Sequence, residues 1–130
     1  MAASKPYSST YVVDTSAIIS QLLPQEELAS QLQPTFDQFK HHRISFYAPN
    51  LLKYEVANVL KTSILRRKIS APASHQLLTQ FLKLNIKYEP VDFASVLKLA
   101  IRFHLSAYDA AYVYLAQIHR CSLLSLDQSL

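Results

Sequence analysis

Glycine is absent from the 130 residues, where average usage of ~7% would supply about nine. Loops that cradle phosphate on bare backbone are thereby excluded, including the G-x-G-x-x-G turn of dinucleotide sites and the Walker-type P-loop. The single cysteine, Cys121, cannot form an intramolecular disulfide, and no basic-then-apolar leader with a small-residue cleavage site opens the chain, so a cytoplasmic protein is expected. The longest run without Asp, Glu, Lys or Arg, from Ile69 to Leu82, includes His75, Gln76 and Gln80. That is short of the ~18 apolar residues of a spanning helix, and no membrane partner is expected.

Half of the residues are hydrophobic and 17% are charged, enough apolar surface for one folded domain of this length. Residues 1–9 lack periodicity and read as a flexible leader, with the domain covering 10–130. Tyr11-Val12-Val13 predicts a strand, followed by a helix in which Ala17, Ile18, Ile19, Leu22 and Leu23 recur at helical spacing. Further helix is predicted over Glu26–His41 with a break near Pro34, a strand over Ile44–Ala48, and a long helix from Pro49 or Asn50 to Arg67. A helix over Ala73–Leu84, a strand over Ile86–Val91, helices capped by Asp92 and Ser106, and a last strand over Ser122–Leu126 complete the pattern. Alternating strands and helices imply an α/β fold, a parallel sheet with helices on both faces.

In such sheets the ligand crevice lies beyond the carboxyl ends of the strands. Asp14 ends the first strand and Asp127 the last. Asp109 lies in the first turn of the helix opened by Ser106, and Glu55 lies one turn into the long helix, with Asn58 on the same helical face. Each has an ordinary explanation. Asp14 and Asp127 would serve as helix caps, Ser106 and Asp109 form an S-x-x-D capping box, and Glu55 beside Lys53 would be a solvated charge. Jointly, four acids on one side of a sheet favour an all-oxygen pocket for a hard cation such as Mg²⁺ or Mn²⁺, which resolves their repulsion and supports phosphodiester hydrolysis. Cys121 and the His41-His42 pair show no zinc-ligand spacing. Ser16 and Asn58 would orient carboxylates or bound water, or bond the local backbone.

Apart from those four acids, thirteen basic side chains face five acidic ones, a formal balance of +8. Lys61, Arg66, Arg67 and Lys68 cluster at the end of the long helix, suited either to nucleic-acid phosphates or to the helix dipole. Tyr108, Tyr112 and Tyr114 are expected in the core of a buried helix. His104 and His119 are expected to cap helix ends, and Cys121 to act as a small apolar residue. A phosphatase using Asp14 as nucleophile lacks a second acid two residues on, where Ser16 stands. Residue types alone do not separate RNA from DNA as substrate.

Four segments in order, Val12-Val13-Asp14-Thr15-Ser16-Ala17, Ala48-Pro49-Asn50-Leu51-Leu52 leading to Glu55 and Asn58, Leu105-Ser106-Ala107-Tyr108-Asp109-Ala110-Ala111-Tyr112, and Leu123-Leu124-Ser125-Leu126-Asp127, resemble the PIN-domain ribonucleases. The likeness is greatest to the VapC-like toxins of type II toxin–antitoxin systems. It implies a three-layer α/β sandwich and a pocket of Asp14, Glu55, Asp109 and Asp127 for Mg²⁺ or Mn²⁺, with Asp14 and Asp109 as direct ligands and Ser16, Asn58 and Ser106 in support. It also implies RNA hydrolysis by water, a homodimer, and an antitoxin that blocks the pocket and alone mediates contact with DNA. Relatives continue past the last motif into a short helix and a fifth edge strand, where this sequence has three residues, and they carry glycine where it has His104. A PIN-like module that grips RNA or a protein without turnover is the alternative.

Overall fold

The computed structural model describes residues 10–23 and 29–127; the predicted leader over 1–9, the start of the Glu26–His41 helix and the last three residues lie outside them. In chain order the elements are β1 (Thr10–Val13), α1 (Thr15–Leu22), α2 (Ala29–Lys40), β2 (Ser45–Ala48), α3 (Leu51–Leu65), α4 (Ala71–Leu82), β3 (Lys87–Tyr88), α5 (Phe93–Phe103), α6 (Ala107–His119) and β4 (Ser122–Leu124). Four strands form one sheet in the order β3-β2-β1-β4, all pairs parallel. Successive strand residues point to opposite faces, and neighbouring Val12 and Val13 are both 0% exposed. Both faces of the sheet are therefore covered, as expected of a parallel sheet.

The main core joins Val12, Val13 and Phe46 of the sheet to Ile18, Leu52, Val56, Phe81, Tyr112 and Leu115 of the helices. A smaller cluster of Val96, Ala110 and Ala111 seals α5 against α6. The chain steps outward from β1 through β2 to β3 and then returns to place β4 on the other side of β1. The order of the strands reverses at β1, and such a switch point opens a crevice at the carboxyl edge.

Several boundaries differ from those predicted. Pro34 lies inside α2. The helix survives because Phe36 and Phe39 beyond it are anchored in the core, Phe39 stacked on Phe46 at 4.1 Å and Phe36 edge-on to it at 5.2 Å, and aromatic burial outweighs one missing backbone bond. Helix α4 starts two residues earlier than its periodicity indicates, because the Ser70 hydroxyl caps the Ala73 amide at 3.2 Å. Pro72 thus falls in the first turn, where its missing N–H costs nothing. Strand β3 contracts to two residues at the sheet edge, and β4 ends at Leu124, whose carbonyl accepts from the Asp14 amide at 3.2 Å where β1 itself ends. Tyr108, expected in the core, is exposed on α6, while Tyr112 is buried. No helix among the described residues is long and apolar enough to cross a membrane.

Without glycine, left-handed backbone falls to residues carrying a Cβ: His42, Arg67, His104 and Arg120 have φ of 59, 57, 56 and 50°. His104 and Arg120 close α5 and α6, followed by the Leu105 and Cys121 amides bonding the Ala100 and Ala116 carbonyls at 3.0 Å. This is the Schellman closure that glycine normally serves. Replacing either residue by glycine removes the Cβ strain. His104→Gly and Arg120→Gly are each expected to raise stability by roughly 0.5–1 kcal/mol, seen as an increase of about 2–4 °C in Tm by calorimetry.

Candidate active site

A cavity of about 310 Å³ is lined by Asp14, Thr15, Ser16, Ile19, Glu55, Val59, Asp109 and Asp127. The four acids flagged by their positions in the sequence thus come from four separate stretches of chain into one cavity. Asp14 arrives from the end of β1, Glu55 from α3, Asp109 from the first turn of α6, and Asp127 from the segment after β4.

Asp14 is buried, 4% exposed, and its charge is met by hydrogen bonds. Oδ1 accepts from the Ala17 amide at 3.0 Å and from Ser16 Oγ at 2.7 Å, and Oδ2 accepts from Ser125 Oγ. It is therefore both the N-cap of α1 and a wall of the cavity, stabilised by amides at a helix N-terminus. Ser16 Oγ also receives the Leu126 amide at 2.8 Å, and Ser125 Oγ the Asp127 amide at 2.8 Å. Two serines thus tie the last segment to the end of the central strand. Ser125 was not anticipated from the sequence; its place two residues before Asp127 was the available signal.

Glu55 is half-buried, and one of its oxygens, Oε1, accepts from Thr15 Oγ1 at 2.8 Å and from the Tyr112 hydroxyl at 2.5 Å. Neither donor was anticipated. Tyr112 follows Asp109 by three residues and so shares its helical face, but its apolar neighbours made it resemble simple core. Lys53 does not pair with Glu55; its ammonium lies 4.3 Å over the Tyr88 ring. Asp109 receives the cap of its own helix, its amide donating to Ser106 Oγ at 3.0 Å. Burial, with the charges of Asp127, Glu55 and Asp14, pushes its carboxyl above the usual range, and the Ser106 hydroxyl offsets part of that.

Ser106 acts as the cap of α6 and does not line the cavity. Asn58 is exposed and lines a second, larger space of about 500 Å³ that shares Ser16, Ile19 and Val59 with the acidic one and is walled by Arg66 and Lys68. Of the basic cluster at the end of the long helix, these two face that space. His119, expected at a helix end bonding carbonyls, instead meets Glu89 with 2.5 Å between Nε2 and Oε1, and stacks on Tyr47 at 3.9 Å. Cys121 is half-buried, and burial raises its thiol.

Among the described residues, no three His, Cys, Asp or Glu side chains already stand close enough together to enclose an ion. The donor set is nonetheless oxygen only, and burial first, then the charges of its acidic neighbours, hold the Asp109 carboxyl above the usual range. A hard divalent cation that retains several waters fits such an arrangement, since it needs only one or two direct carboxylates.

Residues 11–130 match the PIN domain as a family. Ribonuclease VapC3 of Pyrobaculum aerophilum is 32% identical over 123 residues, covering 92% of this chain and 90% of that protein. Ribonuclease VapC9 of Mycobacterium tuberculosis is 32% identical over 116 residues, 89% and 84% of the two chains. Among solved structures, PAE2754 from Pyrobaculum aerophilum superposes with a TM-score of 0.73 at 21% identity, covering 92% of this chain and 81% of that one. Mycobacterium tuberculosis VapC20, a sarcin-ricin loop cleaving toxin, superposes at 0.62 and 14% identity, over 91% and 90%. With the match spanning the sheet, its helices and all four acidic positions, the chain belongs to the PIN-domain family.

Proposed function

We propose that this protein is a metal-dependent endoribonuclease that hydrolyses RNA phosphodiester bonds, the toxin of a toxin–antitoxin pair acting in the cytoplasm. The observation that carries the proposal is the convergence of Asp14, Glu55, Asp109 and Asp127 on one cavity at the carboxyl edge of the sheet. Asp14 and Asp109 would hold Mg²⁺ or Mn²⁺ directly, with Glu55 and Asp127 completing the acidic wall. Bound there, the ion would supply a polarised water and neutralise charge on the phosphate. Ser16 and Ser125 hold the Asp14 carboxylate in one orientation, and Thr15 and Tyr112 hold that of Glu55. Arg66 and Lys68 stand beside the adjoining space, where cations would attract the strand flanking the scissile phosphate.

The same resemblance supplies the partners. A small antitoxin would cover the acidic cavity, and DNA would be reached only through it. A homodimer is supported by α5, where Phe93, Leu97 and Ile101, spaced four apart, are 77, 60 and 67% exposed; an apolar stripe of this kind calls for cover. A binding module without turnover is the competing reading, to which the open spacing of the carboxylates lends weight.

Incubation with a panel of structured RNAs in Mg²⁺, in Mn²⁺ and in EDTA tests the central point. Cleavage is expected with either ion and not with the chelator. Asp14→Asn or Asp109→Asn should lower it at least about hundredfold while circular dichroism stays unchanged. Full cleavage by these variants would remove the proposal, and Mn²⁺ calorimetry without any carboxylate-dependent binding would favour the inert module.

The electrostatics make a second expectation. Because the folded-state pKa of Asp109 is raised, its contribution to stability is full below the carboxylate range and is lost as pH rises through the raised value. At neutral pH the ionised group therefore weakens the metal-free fold. Asp109→Asn should melt about 2 °C above the parent in EDTA at pH 7, with the gap closing toward pH 4.

For the oligomer, Leu97→Glu combined with Ile101→Glu should convert a dimer into a monomer in size-exclusion chromatography with light scattering.

A further inference from the structure

Glu55 is held at a single oxygen by two side chains from other elements. Thr15 Oγ1 and the Tyr112 hydroxyl both donate to Oε1, at 2.8 and 2.5 Å, and lie 3.3 Å from each other, closing a triangle of oxygens. Among the described residues no hydrogen bond is made to Oε2. The Tyr112 ring is 2% exposed and packed with Leu115 and Val56 in the main core, so its hydroxyl cannot swing. A short O–H···O⁻ bond of this length is the strong, charge-assisted kind.

We infer that Tyr112, assisted by Thr15, is a positioning residue for the metal site, fixing the Glu55 carboxylate through Oε1 so that Oε2 is the oxygen offered to a divalent cation in the acidic cavity. The inference rests on the function proposed above and adds to it a residue that touches neither ion nor substrate. A free glutamate rotates broadly about its last torsion, and ordering a long side chain costs rotamer entropy. Here that ordering is built into the fold before any ion arrives. The connection is also mechanical. Tyr112 sits one turn beyond Asp109 on α6, and Thr15 directly follows Asp14, so the two donors tie Glu55 on α3 to the elements carrying the two acids proposed as direct ligands. Displacement of any of the three elements breaks the same triangle.

Tyr112→Phe keeps the ring and its packing and removes one donor; Thr15→Val does the same for the other. The primary measurement is Mn²⁺ binding to the full chain by isothermal titration calorimetry, with RNA cleavage as a second readout. Loss of a group that orients a ligand costs 10–100-fold in metal affinity, so Tyr112→Phe is expected to raise the Mn²⁺ dissociation constant about tenfold. The Mn²⁺ concentration for half-maximal cleavage should shift in parallel, and the rate at saturating Mn²⁺ should fall less. In a Glu55→Gln background the Tyr112→Phe change should add little, because the carboxylate it positions is gone. Should Tyr112→Phe unfold, Thr15→Val carries the same expectation. Parental Mn²⁺ affinity in a folded Tyr112→Phe variant, or an equal loss in the Glu55→Gln background, overturns the inference while leaving the nuclease proposal intact. If the parent itself neither binds Mn²⁺ nor cleaves RNA, the nuclease proposal falls, and this inference with it.

Discussion

Negative charge is concentrated where the central strand gives out, and the rest of the site is arranged around tolerating it. Among the described residues Asp14, Glu55 and Asp109 form no salt bridge; the ion pair present is His119 with Glu89, away from the cavity. Their neighbours are hydroxyls and amides: Ser16, Ser125 and the Ala17 amide for Asp14, Thr15 and Tyr112 for Glu55, Ser106 for Asp109. The distinction matters physically. A neutral donor fixes the direction of a carboxylate without cancelling its charge, whereas an arginine or lysine would do both and leave nothing for a cation to neutralise. The architecture therefore retains both order and field, at a cost in stability, since burial and then its acidic neighbours hold the Asp109 carboxyl above the usual range.

That cost falls on a fold with few local indulgences. Helix α6 serves two partners, presenting Ala110 and Ala111 toward α5 and Tyr112 and Leu115 toward the main core. Small residues on the first face let the two helices approach closely, while the large residues on the second fill the layer above the sheet. The helix ends in a left-handed arginine, and α5 before it in a left-handed histidine, so the polypeptide reverses direction at both places against the preference of its own Cβ atoms. Burial on both faces of β1 supplies the compensation, since Val12 and Val13 bury their side chains into opposite layers at once.

What could be read in advance follows from this. Periodicity and turn chemistry identified every helix and strand in type and order, because long amphipathic segments carry strong signals. Boundaries were lost where a single contact overrode the local pattern, as with Pro34 held inside α2 by the aromatic packing of Phe36 and Phe39, or β3 shortened at an edge where pairing is one-sided. The four acids were legible because a charged residue at the end of an apolar strand, or in a nearly uncharged helix, contradicts its surroundings. Their hydroxyl partners were not. Thr15, Tyr112 and Ser125 fit their local sequence without contradiction, and only the tertiary structure brings Tyr112 of α6 against Glu55 of α3.

The spacing along α3 shows how the same helix serves two regions. Glu55 and Val59 line the acidic cavity, while Asn58, Val59, Thr62, Ser63 and Arg66 line the larger one. Steps of three and four residues keep these side chains on one face, which passes from a carboxylate through neutral polar and apolar groups to a guanidinium at the C-cap. Eleven residues at 1.5 Å each separate the two charged ends by about 16 Å along the axis. Placing Asn58 on the face of Glu55 was thus correct as helical geometry, yet Asn58 lines only the larger space, whereas Val59, one residue further on, borders both. A polyanion lying along α3 would meet like charge at the Glu55 end and opposite charge at Arg66. The charge gradient of one helix therefore distinguishes the two ends of the face it presents to both spaces.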